Sequence, residues 1–194
     1  MIYLVLGTSN SGKSAFAEEL SMKTGDPVRL YLATMKVCDE EGTERVKRHR
    51  RQRRGKGFVT IEAQYNIQEA AAAADKPEDT TVLLECVSNL VANELYENPL
   101  RRHPDHDLSA DEADKMEDSM ADEIAEEIKR LAFKVHNLVI VSNEYDKDGE
   151  NYDDSTRRYV RMLSKVNDRI KAFSDKIFDL RKVISESDRQ KEPV

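Results

Sequence analysis

The chain has 194 residues, 39% of them hydrophobic and 36% charged, with a net charge of −7, two cysteines and no tryptophan. That length predicts one domain, able to bury about 70% of the surface its unfolded chain exposes, and the apolar residues fall in runs that exclude wholesale disorder, collagen, a coiled coil and a disulfide knot. No run approaches the roughly 18 residues of a membrane helix, the start MIYLVLGTSN lacks a secretory leader, and Cys38 and Cys86 alone point to a reducing cytoplasm.

Residues 2–6 are a short continuous apolar run, as expected of a strand buried on both faces. A helix is predicted from Lys13, with Phe16, Ala17 and Leu20 on one face. Asp26-Pro27 punctuates, residues 28–33 read as a second strand, 40–54 as a helix closed by the Gly55–Gly57 turn, and 58–61 as a short strand. Residues 67–74 form an alanine-rich helix, 82–84 another buried strand and 87–96 a helix. Pro99 and Pro104 break the pattern. Beyond them, Met116, Met120, Ile124, Ile128 and Leu131 recur on one helical face, and Ser109 with Glu112 has the spacing of a capping box. Residues 138–141 are a strand, 146–154 a polar loop, 156–173 a helix, and 177–178 open an edge strand. Strands separated by helices imply parallel pairing, because parallel strands need crossover connections. The expected architecture is one three-layer α/β domain over residues 1–184, with a mainly parallel central sheet and a polar tail at 185–194.

Charge is unevenly spread. Arg45, Lys47, Arg48, Arg50, Arg51, Arg53, Arg54 and Lys56 make one basic block, and residues 105–127 an acidic one in which Lys115 is the sole lysine or arginine. A basic stretch in an acidic chain suggests a local anion site rather than a general nucleic-acid surface.

The strongest motif is Gly7-Thr8-Ser9-Asn10-Ser11-Gly12-Lys13-Ser14, a full G-x-x-x-x-G-K-[ST] placed between a buried strand and a helix. Glycines let successive backbone N–H groups point at phosphate oxygens, and the helix amino terminus adds free donors and partial positive charge. Lys13 would reach the outer phosphates and Ser14 would ligate Mg²⁺. A second metal anchor is expected at the end of another buried strand. Glu85 has that position, Asn143-Glu144 competes for it, and Thr34, Glu85 and Asn143 are expected to line one crevice at the carboxyl ends of the strands. Arg45, His49 and Arg53, spaced i, i+4, i+8, share a helix face. An imidazole between guanidinium forks suits attack on an α-phosphorus with pyrophosphate leaving, and the same spacing suits a solvated basic face or an RNA contact.

With these parts in place the chain resembles the bifunctional adenosylcobinamide kinase/adenosylcobinamide-phosphate guanylyltransferase family of cobalamin biosynthesis. The resemblance rests on LVLGTSNSGKS, Tyr31-Leu32-Ala33-Thr34, the Arg45/His49/Arg53 helix, Phe58-Val59-Thr60-Ile61-Glu62 and Leu83-Leu84-Glu85-Cys86-Val87. It continues through Val141-Ser142-Asn143-Glu144, Arg157 and Val166-Asn167-Asp168-Arg169. It implies a P-loop NTPase fold, ATP or GTP with Mg²⁺, and adenosylcobinamide as the corrinoid substrate. It further implies a GMP-histidine intermediate at His49 assisted by Lys13, Arg45 and Arg53, nucleotide contacts from the 7–14 loop, Thr34, Glu62 and Glu85, and a homo-oligomer such as a trimer. The chain departs from the family where residues 145–154 are acidic instead of glycine-rich and apolar, and where no proline follows Arg53-Arg54. Two other readings keep the phosphate loop: a kinase or NTPase with a different acceptor, and a nucleotide-responsive binding module.

Overall fold

The computed structural model describes residues 1–37, 39–98, 109–145 and 152–181, and within them every side chain except those of Glu41, Arg45, Gln52 and Ala110. The expected loop at 146–154 is described only from Tyr152 onward, and the expected tail lies outside the described residues, as do Cys38 and the 99–108 part of the proline break and acidic block.

Six strands form one sheet: β1 (Ile2–Gly7), β2 (Val28–Ala33), β3 (Phe58–Glu62), β4 (Thr80–Glu85), β5 (Asn137–Asn143) and β6 (Lys176–Asp179). Their order is β3-β2-β4-β5-β1-β6, and every neighbouring pair is parallel. All the carboxyl ends therefore emerge along one edge of the sheet. The helices are α1 (Lys13–Lys23), α2 (Glu40–Arg53), α3 (Val87–Ala92), α4 (Ala110–Phe133) and α5 (Asp154–Phe173).

Alternation along each strand sorts the side chains onto two faces. Leu4, Leu6, Leu30, Leu32, Val82, Leu84, Leu138 and Ile140 join the larger core with α3, α4 and α5. Val5, Tyr31, Leu83, Val139 and Val141 face the smaller cluster under α1, which contributes Ala17, Phe16 and Leu20. Both faces of the sheet are thus covered, which is why β1 and the middles of β4 and β5 read as unbroken apolar runs.

β4 and β5 extend beyond the expected 82–84 and 138–141 because their added ends carry polar residues whose partner is remote in sequence. Asp26 accepts from Thr81 Oγ1 at 2.6 Å and Asn137 Nδ2 at 2.9 Å, and lies 2.7 Å from His136 Nδ1. Thr81 and Asn137 are consequently buried without loss of hydrogen bonding. The stretch 67–74 is a 3₁₀ helix over Ile67–Ala73, and the helix expected at 87–96 is α only through Ala92 before a π turn at Asn93–Glu97. At that change of winding the Asn93 amide donates to the carbonyls of Thr34 and Gln64. α5 begins two residues earlier than expected because Asp153 caps it, accepting from Thr156 N at 2.7 Å.

The capping box is present: Ser109 N–H donates to Glu112 Oε2 at 2.9 Å and Glu112 N–H to Ser109 Oγ. Beyond it Met120, Ile124, Ile128 and Leu131 are buried, as their spacing requires. The acidic flank of α4 lies against basic residues of α5. Asp114 pairs with Lys165, Glu117 with Arg161, and Asp118 and Asp122 with Arg169. Asp114, Glu117, Asp118 and Asp122 of the acidic block thus form one side of an interhelical ion-pair row.

Candidate nucleotide site

β1 delivers the chain to the phosphate loop, and two glycines fix the loop's course. A Cβ on Gly7 would lie 2.3 Å from Ser11 Oγ, so the loop folds back on a position that only glycine leaves open. Gly12 has φ +81°, in the left-handed region, and stands at the N-cap of α1 without a side-chain cap. The first N–H groups of α1 are thus left for a ligand's oxygens, with the positive end of the helix dipole behind them. Lys13 is nearly buried and its ammonium donates to Thr8 O at 3.0 Å, which folds it over its own loop.

Ser14 and Glu85, named from sequence as the metal pair, are in contact: Ser14 Oγ donates to Glu85 Oε1 at 2.7 Å. Burial pushes the Glu85 carboxyl up to about 7, against the opposing effects of the Ser14 hydrogen bond and the Lys13 charge. Its second oxygen, Oε2, is buried without a hydrogen-bond partner. A hydroxyl and an orphaned carboxylate oxygen are hard donors of the kind Mg²⁺ takes, and the described residues contain no larger cluster of acidic, histidine or cysteine ligands. The pair is therefore a donor set that would suit Mg²⁺. The competing carboxylate, Glu144, is instead ion-paired with Lys171 at 3.1 Å.

A cleft of about 1030 Å³ joins this loop to α2. Its wall includes residues 9–14, Glu85, Glu62, Asn143, His49 and Arg53. His49 and Arg53 thus share the cavity one helical turn apart, as their spacing requires. Arg53 is buried, with its guanidinium carbon 3.4 Å from the centroid of the Tyr31 ring and its Nη1 without a hydrogen-bond partner. Burial and the nearby Glu85 raise the Tyr31 phenol far above its ordinary range, so Tyr31 is a neutral platform under the cation. Glu62 accepts from Arg50 Nη2 at 2.5 Å, tying β3 to α2 at the rim. The Arg45 side chain lies outside the described part of the structure.

Thr34 is not brought into the cleft. It is fully buried, its hydroxyl donating to Cys86 O at 2.7 Å and accepting from Cys86 N at 2.8 Å, so it anchors the backbone next to Glu85. Gly7 and Thr8 likewise shape the loop from behind without lining the cavity. Tyr31 escaped the sequence reading as a site residue, although strand alternation puts it on the α1 face with Ala33, Glu85 and Asn143. No helix of the described residues is long and apolar enough to cross a membrane.

Residues 3–181 match the family described as cobinamide kinase / cobinamide phosphate guanyltransferase. The chain is 31% identical over 180 residues to the "Bifunctional adenosylcobalamin biosynthesis protein CobU" of Escherichia coli (strain K12), covering 92% of this chain and 94% of that one. It is 30% identical over 180 residues, with the same coverage, to the protein of the same name from Salmonella typhimurium (strain LT2). Among solved structures, the flagellar accessory protein FlaH from Methanocaldococcus jannaschii superposes with a TM-score of 0.38 at 12% identity, covering 84% of this chain and 67% of that chain. A solved ATPase domain superposes with a TM-score of 0.49, also at 12% identity, covering 92% of this chain and 68% of that chain.

Proposed function

Because the chain belongs to the cobinamide kinase / cobinamide phosphate guanyltransferase family, we propose that it phosphorylates the aminopropanol hydroxyl of adenosylcobinamide and then guanylylates the new phosphate through His49. In the first reaction the hydroxyl oxygen bonds to the γ-phosphorus of ATP or GTP, the β–γ bridging bond breaks, the nucleoside diphosphate leaves and the hydroxyl proton is released. Backbone N–H groups of residues 7–14 and the Lys13 ammonium hold the polyphosphate and offset its growing charge. Ser14 and Glu85 would hold Mg²⁺, which would supply charge neutralisation to the polyphosphate. In the second reaction a ring nitrogen of His49 bonds to the α-phosphorus of GTP and pyrophosphate leaves. An oxygen of the cobinamide phosphate then takes the GMP, breaking the P–N bond and restoring the imidazole. Arg53 faces the anionic phosphorus from its place over Tyr31, and Arg45 is its expected counterpart one turn before His49.

The observation that carries this reading is the single cleft lined by both the phosphate loop and the His49–Arg53 face of α2. Its test is incubation with labelled GTP and Mg²⁺ followed by mass analysis. The expected result is an acid-labile phosphoramidate on His49, absent in His49→Ala, together with phosphorylated and guanylylated cobinamide products. Turnover of the corrinoid with no adduct would remove His49 from the mechanism. The same reading makes the protein a cytoplasmic homo-oligomer, which light scattering on the purified chain measures.

A further inference from the structure

We propose that the side-chain carbonyl oxygen of Asn143 is the hydrogen-bond acceptor that orients the hydroxyl of the phosphoryl-acceptor substrate, an inference that rests on the kinase half of the function above. Asn143 ends β5, the strand between β1 and β4. Its register partner on β1 is Gly7, the first residue of the phosphate loop, whereas Glu85 on β4 pairs two residues earlier, with Val141. At a rise of about 3.3 Å per residue, Asn143 stands roughly 7 Å further along the strand axis than Glu85. It shares the parity of Val139 and Val141 and lines the cleft. It is therefore beside the phosphate loop but nearer the mouth than the Ser14–Glu85 pair.

The geometry fixes the sense of the Asn143 amide. Its Nδ2 donates to the Tyr145 hydroxyl oxygen at 2.7 Å. The Tyr145 ring lies against Tyr159, with centroids 6.2 Å apart, and the Tyr159 phenol donates to the Ser88 carbonyl at 3.2 Å. With its N–H₂ end on Tyr145, the amide turns its carbonyl end away from the tyrosines, and Oδ1 is buried with no hydrogen-bond partner. The backbone on either side is braced: Asn143 N–H donates to Ser88 Oγ at 2.9 Å, and Asn143 O accepts from Asn167 Nδ2 at 2.9 Å.

A neutral, unpaired carbonyl in a phosphate cleft selects its ligand by elimination. Phosphate oxygens are acceptors and gain nothing from it. Its partner must bring a proton, and of the two such groups near the outer end of a polyphosphate, a metal-bound water and the attacking alcohol, the alcohol is the one that approaches from the mouth, where Asn143 stands beyond the Ser14–Glu85 pair. An amide carbonyl is too weak a base to remove the proton. It aligns the O–H and leaves an oxygen lone pair aimed at phosphorus, which is a positioning role.

The test measures phosphoryl transfer from Mg-ATP to adenosylcobinamide, alongside the calorimetric affinity for Mg-ATP, in wild type, Asn143→Ala and Tyr145→Phe. The expected result for Asn143→Ala is a loss of about 100-fold in kcat/KM for the corrinoid with Mg-ATP affinity within about threefold of wild type. Tyr145→Phe, which touches the cleft only through Asn143, is expected to lose about 10-fold by freeing the amide to turn over. Unchanged corrinoid kinetics in both variants would overturn the inference while leaving the proposed activity intact. A parallel fall in Mg-ATP affinity would also overturn it, since Oδ1 would then serve the metal's water shell. Wild type that transfers nothing to adenosylcobinamide would sink the kinase reading itself and this inference with it. Should Asn143→Ala fail to fold, the Tyr145→Phe arm decides by the same criteria.

Discussion

Replacing Arg53 with methionine is expected to stabilise the ligand-free chain while weakening its hold on nucleotide. Arg53 is 7% exposed, and its charge meets the Tyr31 ring at 3.4 Å and no carboxylate at ion-pair distance among the described residues. Losing a desolvated cation–π contact costs about 2 kcal/mol, of which a methionine sulfur on the same ring recovers about 1 kcal/mol. Against this, the variant no longer buries a permanent cation, a burden of about 3 kcal/mol that already contains the desolvation of the unpartnered Nη1. The balance favours Arg53→Met by about 2 kcal/mol, which for a chain of this size is a rise of roughly 4–8 °C in Tm. The opposite sign is expected for function, since a charge-assisted hydrogen bond to phosphate is worth about 1.5–3 kcal/mol, or roughly 10- to 150-fold in GTP affinity. Thermal melts without nucleotide and GTP titration calorimetry read the two effects separately. A variant that melts several degrees lower yet binds GTP like wild type would refute the reasoning and make Arg53 a packing residue.

Ser14→Ala is expected to weaken nucleotide binding about 10-fold or more in Mg²⁺ and to leave binding in a chelator nearly unchanged, as paired titrations would read. Asp26→Ala removes the common acceptor of Thr81 and Asn137, both buried, and is expected to cost about 3–5 kcal/mol by urea denaturation. Burial is the largest influence on Asp26 and raises its pKa, but the hydrogen bonds from Thr81, Asn137 and His136 outweigh it and hold the group below its usual 3.8. A depressed carboxylate adds stability that is fully present above the unfolded value and lost as pH falls through the folded one. The wild type should therefore lose this contribution below about pH 4, while Asp26→Ala should lack that part of the acid transition.

Much of the fold was legible because it depends on local pattern. The apolar runs of β1 and β2, the glycine turn after α2, the Ser109–Glu112 cap and the α4 stripe are each specified by a few neighbouring residues. What escaped depends on partners distant in sequence. Thr81 and Asn137 look like loop residues until Asp26 is brought to them, and the acidic flank of α4 has no reading until α5 lies against it. The site divides the same way. Residues 7–14 announce themselves by motif, and the Ser14–Glu85 contact follows from strand-end logic. Thr34 sits at a strand end too, yet its hydroxyl is turned to the Cys86 backbone, a choice that sequence does not encode locally. Asn143 was visible as a strand-end polar residue, but the direction of its amide is set by Tyr145, whose ring packs against Tyr159 of the distant α5.

The strand order has a bearing on how the two proposed reactions share one protein. β1 carries the phosphate loop, whereas α2 hangs over β2, and two strands, β5 and β4, intervene. Three inter-strand steps of about 4.8 Å separate the two stations laterally by roughly 14 Å. On the proposed reading, a corrinoid phosphorylated at the first station would have to shift along the shared cleft to reach an imidazole on the helix over β2. Transit, as well as either bond-making event, is then a candidate for the slow step of the cycle. Rapid-quench time courses would reveal it as a build-up of singly phosphorylated product ahead of the guanylylated one.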